Sequence, residues 1–74
     1  MEVVNVIELV GDSPKGWQEA IENAVAEASR LYPQITGVEV YNLTANVKDG
    51  KVVEYKANVK IASSLHPEKG GRSR

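Results

Sequence analysis

The sequence predicts an α+β fold of β-α-β-β order: a three-stranded antiparallel sheet, spatial order 1-3-2, packed on one helix. Three observations carry this. A run rich in β-branched residues ends at Gly11, apolar residues then recur at helical spacing from Trp17 to Leu31, and two long strand-like runs follow, joined at Lys48-Asp49-Gly50.

The first run, residues 3–10, is apolar on both faces except at Asn5 and Glu8, and reads as a strand. In Gly11-Asp12-Ser13-Pro14 the period changes. Ser13 is expected as helix N-cap and Pro14 at the first helical position, where its missing N–H would lack a partner anyway. Apolar residues at 17, 20, 21, 24, 25, 28 and 31 then trace one helical face, opposite Gln18, Glu19, Glu22, Glu27 and Arg30. Ala20, Ala24 and Ala28 on that stripe allow a close approach to a sheet, with Trp17, Ile21 and Leu31 expected to fill its ends. Trp17 reads as a core residue rather than a plate for a cofactor. Pro33 stops the helix near Leu31 or Tyr32.

The second strand is expected over about Ile35 to Val47 and the third over Lys51 to Ala62. Lys48-Asp49-Gly50 signals a tight turn between them. In the third strand Val53, Tyr55, Ala57, Val59 and Ile61 alternate with Glu54, Lys56, Asn58 and Lys60, so one face is buried and one is polar. A helix between two neighbouring strands would make them parallel. Placing the third strand between the other two makes every pair antiparallel. In the second strand, regular alternation puts Val38, Val40, Asn42 and Thr44 on one face and Tyr41 and Leu43 on the other, and a single helix leaves one of these sets without a core. Together with two long edge strands, this predicts homo-oligomerisation.

Composition narrows the functional classes. Seventy-four residues make one domain, placed at 1–64, followed by a polar C-terminal tail at 65–74. A chain this short buries only about 60% of its unfolded surface. There is no cysteine, so neither disulfides nor thiolate zinc sites arise. Through residue 65, six basic side chains face nine acidic ones; after it, three face one. A mildly acidic body offers no footprint for nucleic acid. No apolar run spans a membrane and no secretory signal is read, so a cytoplasmic location is expected.

No catalytic constellation is found, and a non-enzyme is expected. His66, the one histidine, lies in the tail. Gly11 to Gly16 lacks the spacing of a phosphate-binding loop. Asp12, Glu19, Glu22, Glu39 and Asp49 could serve a hard cation such as Ca²⁺ if symmetry gathered them, yet no EF-hand loop is present. Asn42-Leu43-Thr44 matches a glycosylation sequon by coincidence.

Val6-Ile7-Glu8-Leu9-Val10-Gly11-Asp12-Ser13-Pro14, Trp17-Gln18-Glu19-Ala20, Ala24 and Ala28 together resemble the opening of the dodecin family. The resemblance continues through Val38-Glu39-Val40, Asp49-Gly50-Lys51-Val52, Glu54-Tyr55 and Val59-Lys60-Ile61, over about residues 3 to 64. It implies a β-α-β-β protomer in a hollow homododecamer of cubic 23 symmetry that binds or stores a small ligand. The default ligand is a flavin (FMN or riboflavin), held as paired rings at protomer interfaces. The resemblance assigns Gly37, Glu39, Thr44 and Lys56 to the ligand site. Where the family carries its flavin-stacking tryptophan, this chain has Gly37, which offers no ring to stack. Lys56 stands where a glutamine meets the flavin's polar edge; lysine donates but does not accept. Thr44 and Ser64 stand where some members place arginines for the FMN phosphate, and the arginines that coenzyme A would need are not evident. A branch without the tryptophan binds calcium, but it supplies no ligands that carry over residue by residue. A calcium-binding shell and a ligand-free structural shell are therefore the alternatives to flavin storage.

Overall fold

The computed structural model describes residues 4–64. The first three residues and the expected tail, His66 included, lie outside the described residues. The order is β1 (Val4–Ser13), α1 (Trp17–Leu31), β2 (Ile35–Lys48) and β3 (Lys51–Ser64). The sheet is antiparallel throughout in the order β1-β3-β2, as the sequence predicts.

β1 does not stop at Gly11. Asp12 pairs with Lys56 and Ser13 with Tyr55, because Gly11 provides clearance for the helix rather than a turn. A Cβ on Gly11 would fall onto the carbonyl oxygen of Ala20 and lie 2.9 Å from Ala24 Cβ. Ala20, Ala24 and Ala28 are buried here against Ala57, Val59 and Ile61. Ile7, Leu9, Ile21, Val25 and Ile35 pack around this centre, partly buried.

The helix start also differs from expectation. Gly16 occupies the N-cap position with no side-chain cap, and Pro14 precedes the helix altogether. Ser13 is buried at the end of β1, and its Oγ accepts the Lys15 N–H at 2.9 Å. The hydroxyl therefore closes the strand-to-helix turn. At the other end Tyr32 is extended, as the residue before a proline favours, and its N–H reaches the Ala28 carbonyl at 2.9 Å.

Asp49 (φ 54°) and Gly50 (φ 78°) both take left-handed backbone, forming the two-residue turn that suits the twist of a hairpin. The β2–β3 ladder is irregular where the β1–β3 ladder is not. Register shifts leave Thr36 and Tyr41 as extra residues on β2, and Val53 as an extra residue on β3.

The bulge at Tyr41 overturns the predicted faces of β2. Residues paired directly across a ladder point to the same side. Val38, Val40, Leu43 and Ala45 pair with Ile61, Val59, Ala57 and Tyr55, and so lie on the helix side. Glu39, Asn42 and Thr44 pair with Lys60, Asn58 and Lys56 on the opposite, open side. The extra residue thus gathers the aliphatic side chains on one face and the polar ones on the other.

Two further expectations fail, because the helix covers only part of its sheet. Trp17 (39% exposed) and Leu31 (58% exposed) do not fill the ends of a core, and Val53 (45% exposed) lies beyond the helix. The described residues span 54 × 18 × 15 Å with a radius of gyration of 15.1 Å. A compact chain of this length would give about 11 Å.

Candidate functional site

The open face of the sheet is built in rungs running β1–β3–β2. Val6, Ala62 and Gly37 form an apolar end rung; Glu8, Lys60 and Glu39 form the next; then come Val10, Asn58 and Asn42, followed by Asp12, Lys56 and Thr44. Strand geometry separates successive rungs by about 7 Å, so Gly37 stands about 20 Å from the Thr44–Lys56 pair. The structure therefore brings Thr44 beside Lys56 and Glu39 beside Lys60 on one surface, but does not gather the four predicted ligand positions into one pocket. No cavity is found among the described residues.

Gly37 is exposed on edge strand β2, and a Cβ placed on it would meet nothing within 4 Å. The protomer has room for a large side chain there and supplies none. Gly37 presents no ring for stacking, and Lys56 can only donate hydrogen bonds.

Thr44 is held by its backbone. The Trp17 indole Nε1–H donates to the Thr44 carbonyl oxygen at 2.8 Å, and the Trp17 ring stands edge-on to Tyr55, 5.0 Å between centroids at 82°. The sole tryptophan thus ties the start of α1 to β2 from the helix side. Thr44's side chain faces the other way.

Sequence reasoning missed Tyr41. The bulge puts its phenol on the open face, where the hydroxyl donates to Glu8 Oε1 at 3.3 Å and the Lys60 ammonium lies 5.2 Å from the ring centroid. Desolvation raises the phenol's pKa above its ordinary value, and the neighbouring Glu8 carboxylate and its hydrogen bond push the same way. The available signal was the aliphatic spacing itself: Val38 and Val40 alternate with polar residues, and Leu43 and Ala45 resume the alternation one residue out of phase, with Tyr41 at the break.

The candidate cation ligands are dispersed. Asp12 and Glu39 lie on the open face, Asp49 is in the hairpin turn, and Glu19 and Glu22 are on α1. Among the described residues no three potential metal ligands cluster. Nor is any helix there long and apolar enough to cross a membrane.

The fold and surface together define a class: a small β-α-β-β protomer, helix on one side and polar ladder on the other, with more large apolar side chains on its surface than in its core. The chain belongs to the dodecin family, whose family model matches residues 3–66. Among solved structures, dodecin from Streptomyces coelicolor is similar at 30% identity and a TM-score of 0.84, over 90% of this chain and 96% of that one. Dodecin from Streptomyces davaonensis is similar at 26% identity and 0.84, over 88% and 96%. The calcium-chelating immunodominant antigen of Mycobacterium tuberculosis, a calcium dodecin described with a novel calcium-binding site, is similar at 26% identity and 0.76, over 93% and 99%. Comparison with curated proteins finds no match. Dodecins are known as flavin-binding oligomeric proteins that bind or store ligands, and are not known as enzymes.

Proposed function

We propose that this chain is a non-enzymatic protomer of a hollow, cytoplasmic homododecamer that binds or stores a small ligand, and that its flavin sandwich is impaired. The observation that carries this reading is Gly37: an exposed position with open space where the family resemblance calls for a stacking tryptophan. An aromatic stack contributes about 0.5–1.5 kcal/mol beyond its buried area, and glycine forfeits both parts. The family ligand is either FMN or riboflavin, and at Lys56 and Thr44 its polar edge would meet an ammonium and a hydroxyl. Assembly is supported by the small core, four alanines with Val59 and Ile61, set against twelve large apolar side chains that are 38–64% exposed.

Light scattering with an absorbance spectrum on the same peak tests the reading. A colourless particle of about twelve protomers, indifferent to moderate added flavin, is the expected result. A particle that purifies with flavin bound would overturn the impaired sandwich, and a monomer would overturn the assembly.

A calcium-binding shell is the second reading, favoured by the likeness to the calcium dodecin. Because the carboxylates are dispersed in the protomer, such a site would draw Asp12, Glu39 or Asp49 from several copies. Calorimetric titration with Ca²⁺ before and after chelation decides between it and a ligand-free structural shell.

A further inference from the structure

Tyr41 puts an aromatic ring on the open face of the sheet, and two contacts fix how it lies. Its hydroxyl reaches from edge strand β2 toward edge strand β1, donating to Glu8 Oε1 at 3.3 Å, and the Lys60 ammonium of the central strand lies 5.2 Å from the ring centroid. Neighbouring strands lie about 4.8 Å apart, so the phenol and the Glu8 carboxylate together bridge about 10 Å from one edge to the other. A ring that crosses the sheet with a cation against one face turns its other face to solvent, and Tyr41 is 48% exposed. The result is a flat plate pinned at both ends.

The plate is bracketed by acceptors. Glu8 and Glu39 flank Lys60 in its rung. Glu8 already accepts the phenol, whereas Glu39 is exposed. Among the described residues the one ion pair joins Arg30 to Glu27, which leaves the Glu39 carboxylate without a cation. A carboxylate with both oxygens free matches two parallel N–H donors, as a guanidinium presents them. A 2-amino-pyrimidinone ring has such an edge in its ring N–H and its exocyclic amine. The polar edge of a flavin instead sets carbonyl oxygens on either side of a single N–H, and those oxygens would face the carboxylate.

We infer that Tyr41 and Glu39 form a binding site for a planar heterocycle with a guanine-like edge: the Tyr41 ring stacks on the ligand and Glu39 takes its paired N–H donors. The inference rests on the ligand-binding reading above and deepens it by naming a class of ligand. It sets the stack at the Tyr41 bulge, so it needs no ring at Gly37. Guanine nucleosides and pterins share this edge, and the test separates them.

Calorimetric titration of the full chain with guanosine, pterin, inosine, riboflavin and Ca²⁺ reads the site. Inosine keeps the stack but lacks the exocyclic amine. Guanosine or pterin is expected to bind about tenfold tighter than inosine, the effect of one hydrogen bond to a charged group, and the tighter of the two names the source. Tyr41→Leu keeps apolar bulk at the bulge and should weaken guanosine, pterin and inosine alike by about tenfold, because the stack is lost. Glu39→Gln should erase the preference over inosine while leaving inosine within about twofold of wild type. That exposed substitution keeps the site falsifiable if the Tyr41 variant fails to assemble. Equal wild-type affinities for guanosine, pterin and inosine would overturn the edge recognition, and wild-type binding by Tyr41→Leu would overturn the plate. Binding of riboflavin or Ca²⁺ alone would overturn this site while ligand storage stands. A particle that binds none of the five would overturn the site and favour the ligand-free shell.

Discussion

Gly11 lies directly under Ala20: a Cβ built on the glycine would collide with the alanine's carbonyl oxygen. This is a backbone-to-backbone approach, so no side chain can move aside to relieve it. Gly11→Ala should therefore push α1 off the sheet, at a cost of about 1–3 kcal/mol. Denaturant unfolding followed by helical circular dichroism measures the loss, and an unchanged midpoint would refute the close packing.

Trp17→Phe separates the two jobs of the indole. The ring contact with Tyr55 largely persists, while the hydrogen bond to the Thr44 carbonyl disappears. The site is half open to water, so the cost should be about 0.5–1.5 kcal/mol. Urea unfolding of the variant and wild type gives the difference. Trp17→Ala should cost more, since the ring's packing goes as well.

At Gly50 the left-handed backbone of the hairpin turn favours a residue without Cβ. Gly50→Ala should destabilise by about 1 kcal/mol, with no change in the particle's size. Thermal unfolding and light scattering on one sample check both halves.

Tyr41 links folding to pH in the alkaline range. Its pKa is raised in the folded state, by desolvation first and then by Glu8, so the protonated phenol is favoured by folding. That contribution is fully present below the ordinary value of 10.0, and it is lost as pH rises through the raised folded value. Tyr41→Phe should flatten the decline in stability above about pH 10 and remove the tyrosinate absorbance that appears above that value. A Glu8→Gln variant whose tyrosinate titration matches the wild type would refute the Glu8 contact.

Gly37→Trp tests the reading of the ligand site. Nothing lies within 4 Å of the Cβ position, so the protomer has space for the ring. The variant should gain flavin affinity about tenfold or more, matching one aromatic stack and its buried area. Adding Lys56→Gln should raise it further, by restoring an acceptor at the flavin's polar edge. Fluorescence titration with FMN reads both steps.

The topology was legible because each element announces itself locally. The alanine stripe and Pro33 bound α1, the β-branched runs mark the strands, and Asp49-Gly50 has the turn chemistry of a two-residue hairpin. Strand order followed from chain connectivity. The candidate site rested on resemblance alone: the structure pairs Thr44 with Lys56 and leaves Gly37 open, and the four expected ligand positions do not converge within one protomer. Contacts between copies of a chain are not encoded in the spacing of its residues.

What the sequence determined alone is therefore the set of elements, their order, and a protomer with too little core. The tertiary structure decided which way β2 faces. Alternation predicts faces only while a strand stays in register, and register depends on the partner strand. The extra residue at Tyr41 turned Asn42 and Thr44 away from Val38 and Val40, and set a phenol against Glu8. The structure also decided that Ser13 closes a turn instead of capping the helix, and that Trp17 reaches across to β2, since both depend on how closely Gly11 lets the helix approach.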